Sequence, residues 1–557
     1  MNLTLADTWL PSMGDLRLFS PELVLVGTLV AVLLVPVLVG RRSGSAAFIA
    51  LLGALVGVWA TGAMAAHLTA GGDGVLTPPG TPPLLLVDGF SVFFRLFLFG
   101  LLVAITWLWM LGRAEREHAG ELAGATGGGV PTPTAEGATE FFVLLLTSAL
   151  GMLLMVGSLN LLVILVAIET ASLPSYAIVA SEKRSRLGAE AALKYVMFGA
   201  ASAAIMVYGM SLLYGRFGTL DLPTIAARIA AAPTAADPVF WLGLVALGVG
   251  IAFKIAVVPM HLWCPDVFEG APIEVTTWLS VASKAAGLGL LLRIVAAFSA
   301  APALANVMTP LTWGIGALAA ITCTVGNLAA LRQESVKRVL AYSSIAHAGY
   351  MMMAATILVG AQSDPSFNAG VKALVAYLLV YVTMNVGAFG ATALVVWQTG
   401  TDHISAFTGL GRRAPWVALP LAVCLFSLVG LPPLGGFAAK WFLLLALGKG
   451  AAAQPWLWGL VAVAAINTAI SLYYYVRIIR QMYLMDDAAL APVWAPIGGV
   501  ALVNACAVLL LLLGTLWFSP LGGRAEGMAT SLFQRPAPAQ VQALNVSVHG
   551  GGPSQSR

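Results

Sequence analysis

Five lysines stand inside apolar stretches long enough to cross a bilayer: Lys194, Lys254, Lys284, Lys372 and Lys440. An ammonium at the centre of a spanning helix costs roughly 2.5–3.5 kcal/mol even on the lenient insertion scale, so each is by default a candidate for an ion or proton path. Lys254 lies in LGLVALGVGIAFKIAVVPMHLW, five residues before Pro259, and Lys284 lies in VTTWLSVASKAAGLGLLLRI. The one acid well inside an apolar stretch is Glu169, in LLVILVAIETASLPSYAIVA, with Pro174 five residues on. A buried lysine readily lowers its proton affinity, and an approaching carboxylate raises it again. A lone carboxylate buried among lysines is therefore expected to take a positive partner, and pairing shifts the proton affinity of both groups. The competing reading is a fixed ion pair that sets helix register; five lysines against one acid weigh against it. His347, in LAYSSIAHAGYMMM beside Ser343 and Ser344, has the chemistry of a proton relay near neutral pH. A lone histidine on an apolar helix is also an ordinary packed residue.

The elements that position these groups follow from composition. Of 557 residues, 59% are hydrophobic and 9% charged, against about 25% charged in soluble domains. This is an all-α integral membrane protein. Apolar runs of about 20 residues mark about 14 spans: 21–40, 46–68, 90–111, 140–157, 160–180, 189–214, 240–262, 273–298, 306–330, 336–360, 369–397, 415–446, 456–484 and 496–518. The stretch 415–446 is too long for a plain span and carries Gly430, Pro432, Pro433, Gly435 and Gly436. It reads as a broken helix, which a membrane tolerates only where the freed backbone faces protein or a watery cavity. Segment 115–139 reads as a flexible cytoplasmic loop, and the polar tail 519–557 as disordered or draped on a neighbour.

Arginine and lysine set the orientation. Loops after odd-numbered spans hold 14 of them and the opposite side 7, which puts both termini outside. This bias accounts for the net charge of +4 and removes any reason to invoke nucleic acid. Arg95 and Arg293 read as snorkelling or local ion-pair residues. The N-terminus has no cleavable-signal pattern and reads as retained. Four scattered cysteines, with no CxxC or His/Cys cluster, exclude a bound haem or iron–sulfur cluster and predict no cofactor in this chain.

The chain also repeats itself. Aligning Tyr195 with Tyr377 sets Glu190 against Lys372 and brings Asp221 and Asp402 to 26 and 25 residues downstream. Lys254 lies 59 residues beyond Tyr195 and Lys440 63 beyond Tyr377, each in an interrupted helix. Two five-helix units follow, 140–298 and 306–446 plus 456–484, after three N-terminal spans and a loop (1–139) and before a last span at 496–518. An odd helix count inverts the second unit. Paired interrupted helices in corresponding halves point to an ion site near the midplane, with Lys254 and Lys440 at corresponding positions. In place of Glu169 the second unit has the helix with Ser343, Ser344 and His347.

These motifs are familiar. ETASLPSYAIVA, EAALKYVMFGA, FKIAVVPMHLWCPDVFEGAP, SKAAGLGLLLR, KRVLAYSSIAHAGYM and LVGLPPLGGFAAKW together resemble the antiporter-like subunits of proton-pumping NADH–quinone oxidoreductase, respiratory complex I, over roughly residues 85–490. Lysine at 440 and the absence of a long lateral helix favour the N-type members. The longer loop at 112–139 and the C-terminal tail depart from the pattern and leave the motifs untouched. The resemblance implies a proton-conducting subunit with no redox centre, driven by quinone reduction elsewhere, in a hetero-oligomer with other antiporter-like and small membrane subunits of a bacterial-type plasma membrane. It implies that Glu169 pairs with Lys254, that Lys194 is a cytoplasmic-side member of that network, that Lys284 connects the two units and that Lys440 is the terminal lysine. Lys372 and His347 enter through the repeat and local polarity. A subunit of a multi-subunit cation/proton antiporter, a membrane-bound hydrogenase subunit and a mainly structural scaffold are the alternatives.

Overall fold

The computed structural model describes residues 12–39, 43–69, 74–77, 83–124, 135–183, 185–299, 302–358, 365–486 and 495–516. Lipid offers no partner for a backbone amide, so the apolar runs satisfy their N–H and C=O groups internally as helices. The first group is α1 (Met13–Leu18), α2 (Ser20–Val39), α3 (Ser43–Thr69) and α4 (Gly89–Gly124), with a two-residue antiparallel pairing of Val75–Leu76 and Leu85–Leu86 before α4. Then come α5 (Ala135–Gly157), α6 (Leu161–Val179), α7 (Arg186–Phe217), α8 (Leu222–Ala231), α9 (Pro238–Ile255), α10 (Trp263–Gly270), α11 (Ile273–Trp278) and α12 (Lys284–Phe298). A π-helical turn, Leu279–Ser283, joins α11 and α12 into one span. The remainder is α13 (Ala305–Ala330), α14 (Val336–Met353), α15 (Pro365–Thr399), α16 (Leu410–Arg413), α17 (Pro415–Val429), α18 (Gly435–Gly450), α19 (Leu457–Leu484) and α20 (Ile497–Leu516).

Twelve helices among the described residues are long and apolar enough to cross a membrane, against the fourteen expected. The difference has two causes. Helix α14 is diluted by Lys337, Arg338, two serines and His347, and it is buried along nearly all its length, so it needs no lipid-facing surface. The stretch 415–446 is divided into α17 and α18. Segment 115–139 also differs from the loop expected there: α4 continues to Gly124 and α5 begins at Ala135. The tail 519–557 lies outside the described residues.

One closure recurs. The N-cap of α6, Asn160, forms an isolated antiparallel bridge with Asp221, itself the N-cap of α8. Ser335, the N-cap of α14, forms the same bridge with His403, which caps the short 3₁₀ turn Ile404–Phe407. Capping side chains satisfy amides the first helical turn leaves free, so each of these sites ties a long helix back to the start of the helix before it. Nine residues after Asn160 stands Glu169; nine after Ser335 stands Ser344.

Both interrupted helices end in the same way. Helix α9 stops at Ala256 (φ 65°) and α17 at Gly430 (φ 88°), each in the left-handed region. Only glycine enters that region without a Cβ penalty of about 1–2 kcal/mol. Gly430 fits the rule and Ala256 breaks it. A Cβ on Gly430 would also stand 2.9 Å from Cδ of Lys440.

Among the described residues, two buried ion pairs join distant parts of the chain. Arg293 of α12 grips Asp88, just before α4, through two bonds of 2.6 Å, and its Nε donates to the Val156 carbonyl at the end of α5 at 2.9 Å. Arg95 of α4 donates from Nε to Glu22 at the start of α2 at 2.9 Å. Neither arginine snorkels and neither pair is local. Both acids lie near helix ends in sequence, which hides their burial.

Two outcomes follow. Arg293→Met strands Asp88 without its charge partner and should cost about 3–5 kcal/mol, read as a fall in the thermal unfolding midpoint of the detergent-purified complex, with Asp88→Asn in the same background restoring part of it. An unchanged midpoint for Arg293→Met would refute the pair's structural role. Gly430→Ala should destabilise by about 1–2 kcal/mol, whereas Ala256→Gly should be neutral or slightly stabilising; equal effects at the two breaks would contradict this account.

Candidate functional site

The first break holds Lys254. The lysine is on the last turn of α9, two residues before the left-handed Ala256, and is 1% exposed. Its ammonium donates to the hydroxyl of Ser172 on α6 at 3.2 Å. Glu169 lies one turn earlier on the same helix, and no Glu169–Lys254 ion pair forms within 4.0 Å. The carboxylate instead lines a cleft of about 370 Å³ with Thr147, Leu165, Val166, Thr170, Leu173 and Pro174. Ser172 was not singled out in the sequence, although it stands three residues after Glu169 and so on the same helical face.

From Lys254 the contacts lead to Lys284. Ser283, at the end of the π turn, donates its hydroxyl to the Lys254 carbonyl at 2.9 Å. The next residue is Lys284, 1% exposed. Its ammonium reaches the Cys264 sulfur at 3.9 Å and stands 5.1 Å from the centroid of the Phe268 ring. Both partners belong to α10.

Tyr381 makes the next link. Its hydroxyl donates to the Ser280 carbonyl at 3.3 Å, one turn before Lys284, and lies 2.8 Å from the Ser344 hydroxyl, which can donate to it in turn. His347 packs against the Tyr381 ring at 5.4 Å between centroids and against Tyr350 at 5.8 Å, and its Nδ1 is 2.8 Å from the Tyr377 hydroxyl. The tyrosines make this a packed aromatic cage with polar edges. Sequence alone exposed the histidine and missed the cage, because its members come from α14 and α15.

Lys440 closes the series. It lies on α18, ten residues after the left-handed Gly430, and its side chain returns across the break. The ammonium donates to the carbonyls of Val429 at 2.8 Å and Leu428 at 3.2 Å, and to the Thr468 hydroxyl at 3.5 Å. It also stands 4.6 Å from the Tyr350 ring centroid. The last carbonyls of α17 have no partners within their own helix and carry the negative end of its dipole. Beyond them, Tyr474 donates to Asn327, Asn327 to Asn467 and Asn467 to Thr324, at 2.9, 3.1 and 3.0 Å.

Lys254 and Lys440 do not occupy corresponding positions, contrary to the sequence alignment. Counting from the left-handed residues, Lys254 precedes its break by two while Lys440 follows its break by ten. Lys254 thus belongs to the helix before its break and Lys440 to the helix after its own. What the two lysines share is the break itself, which Lys440 reaches by reaching back to the Leu428 carbonyl. The alignment erred because distances from Tyr195 and Tyr377 absorb different loop lengths.

Lys194 sits apart from the buried lysines. It is 40% exposed and bonds Glu190 and Asp266, each at 2.8 Å. Asp266 also accepts from Arg338 at 2.8 Å, and Arg338 reaches Glu269 at 2.6 Å. Lys372 is half-buried on α15 and is not among the hydrogen-bond partners of His347 or Lys440. Among the described residues no group of three or more His, Cys, Asp or Glu side chains is placed to hold a metal ion.

Comparison with known proteins places this geometry. Residues 158–471 match the NADH:quinone oxidoreductase/Mrp antiporter transmembrane family. Subunit N of the NADH-quinone oxidoreductase of Anaeromyxobacter sp. (strain Fw109-5) is 38% identical over 529 residues, 90% of this chain and 94% of that one. A chain of respiratory complex I from Thermus thermophilus, solved with bound aureothin, superposes with a TM-score of 0.68 at 32% identity, over 90% of this chain and 98% of its own length. A chain of the Mrp complex from Dietzia sp. DQ12-45-1b superposes with a TM-score of 0.73 at 20% identity, over 95% and 99%, a likeness of fold. On this identity and coverage, the chain belongs to the NADH:quinone oxidoreductase/Mrp antiporter family, among the antiporter-like membrane subunits of respiratory complex I.

Proposed function

We propose that this chain conducts protons as the N-type subunit of an NADH–quinone oxidoreductase, along a route from Glu169 through Lys254, Lys284 and the His347 cage to Lys440. The chain has no redox group of its own and responds to quinone reduction in other subunits. Its partners are the neighbouring antiporter-like and small membrane subunits of a bacterial plasma membrane, with both termini on the outer side by the charge bias of the loops.

One contrast carries the reading. The buried arginines, Arg95 and Arg293, are locked onto carboxylates. The buried lysines 254, 284 and 440 touch only neutral groups: a hydroxyl, a thiol and ring, and carbonyls with a hydroxyl. A guanidinium does not give up its proton in a protein, whereas a desolvated ammonium does. Locks are built from arginine here and the exchangeable sites from lysine. A scaffold with its lysines held in ion pairs would need carboxylates beside them.

The proposed mechanism follows from that contrast. An ammonium held by weak neutral partners in low dielectric is poised to lose its proton. A carboxylate that swings in from the Glu169 cleft would favour the charged form, and its withdrawal would release the proton towards Lys284. At the far end, the carbonyls of α17 stabilise the charged form of Lys440, and the Thr468 hydroxyl offers an exit. Lys194 enters as a surface member of the input side, and Lys372 through the repeat alone.

Lys254→Met, in a complex whose subunit content is unchanged, should lower NADH-driven proton uptake into membrane vesicles by about a hundredfold or more, the lower end of the scale for losing a positioned acid–base group. Lys254→Arg should fail as well, because it keeps the charge and loses the exchange. Wild-type uptake in either variant would sink the proposal. Purification of the tagged chain should bring flavin- and iron–sulfur-containing partners; recovery with cation/proton antiporter subunits alone would reassign it.

A further inference from the structure

Helix α10 is two turns long, Trp263–Gly270, and its two faces carry different chemistry. Cys264 and Phe268, four residues apart and fully buried, face Lys284. Asp266 and Glu269, three apart on the opposite face, are about a third exposed and bond Lys194 of α7 and Arg338 of α14. We propose that α10 is the positioning element for Lys284: Cys264 and Phe268 set the surroundings of its ammonium, and the Lys194–Asp266–Arg338 cluster sets where those two residues stand. The proposal rests on Lys284 being a member of the proton route.

The partners of the ammonium make it sensitive to small movements. A thiol is a weak acceptor, and a ring face attracts a cation only at close range. Neither would hold the lysine as a carboxylate would. Among the described residues the Cys264 sulfur is the one polar atom the ammonium reaches. A shift of α10 by a fraction of an ångström therefore changes the state of Lys284 without breaking any strong bond.

The ends of α10 offer little stiffness, since residues 256–262 before it are non-helical and Ala271 and Pro272 follow it. Side chains do the holding. Trp263 donates from Nε1 to the Phe253 carbonyl at 3.1 Å, beside Lys254, and stacks on Tyr195 with centroids 4.3 Å apart. Lys337 of α14, 8% exposed, donates to the carbonyls of Glu269 at 2.6 Å and Ala271 at 2.8 Å. The charged cluster on the outer face supplies the rest. It spans α7 and α14, one from each five-helix unit, so a change of charge at Asp266 redistributes the pull of both units on α10. Asp266 in this way anchors the helix that follows the first break.

The test uses the assembled complex in membrane vesicles, with proton uptake as the readout. Cys264→Ala and Asp266→Asn should each lower uptake at least about threefold, the lower range for directly coupled residues. Cys264→Ser, whose hydroxyl still accepts from the ammonium, should retain most of it. A merely structural role would make the defects of Cys264→Ala and Lys284→Met multiply. Action through Lys284 makes Cys264→Ala/Lys284→Met, and likewise Asp266→Asn/Lys284→Met, no worse than Lys284→Met alone. If Lys284→Met is defective while Cys264→Ala pumps normally, or if the doubles multiply, the proposal is overturned and the route stands. Normal uptake in Lys284→Met would remove Lys284 from the route and the proposal with it. Should Asp266→Asn fail to assemble, the Ala/Ser pair at Cys264 decides.

Discussion

A charge inside a membrane protein must be partnered, and the strength of the partner decides whether it can move. This chain answers in two ways. Arg293 meets Asp88 through a bidentate bond and fastens α12 to the entry of α4, with the end of α5 caught in the same grip. Lys254, Lys284 and Lys440 are given a hydroxyl, a sulfur and a set of carbonyls. The first kind of contact joins helices that are far apart in sequence; the second gives a cation only neutral partners. The fold depends on keeping the two kinds separate.

The breaks in α9–α10 and α17–α18 are where that separation is arranged. Ending a helix inside the protein frees carbonyls, and freed carbonyls are a favourable place for a cation. Lys440 uses the end of α17 directly. At the first break the freed segment lets α10 turn so that its apolar face meets Lys284 and its acidic face meets Lys194 and Arg338. Gly436 permits the two halves of the second interruption to overlap: a Cβ there would fall 1.7 Å from the Ser427 carbonyl oxygen.

Between the breaks runs the span Ile273–Phe298, buried along nearly its whole length. Its π turn places Ser283 against the Lys254 carbonyl and Lys284 against α10, and Ser280 one turn earlier receives Tyr381 from the second unit. Tyr381 of the second unit thus meets this span at the Ser280 carbonyl, one turn before Lys284.

Much of this was legible in the residues. Apolar runs fix the spans because lipid forbids any other backbone arrangement. The cost of a buried ammonium singles out five lysines, of which Lys254, Lys284 and Lys440 are enclosed while Lys194 and Lys372 are only partly covered, and the Gly/Pro cluster near Gly430 announces an interrupted helix. Partners were the hidden part. Asp88 and Glu22 lie near helix ends, where sequence suggests solvent, and only packing shows them fully enclosed. Ser172, Cys264 and the tyrosines around His347 are unremarkable in one dimension, since their roles depend on which helix faces which. The supposed equivalence of Lys254 and Lys440 failed for the same reason: spacing along the chain cannot tell the two sides of a break apart. Sequence by itself determined which basic residues lie inside apolar stretches, because hydropathy is a local property. Tertiary structure decided which are locked and which are free, because that depends on the distance to groups up to 205 residues away.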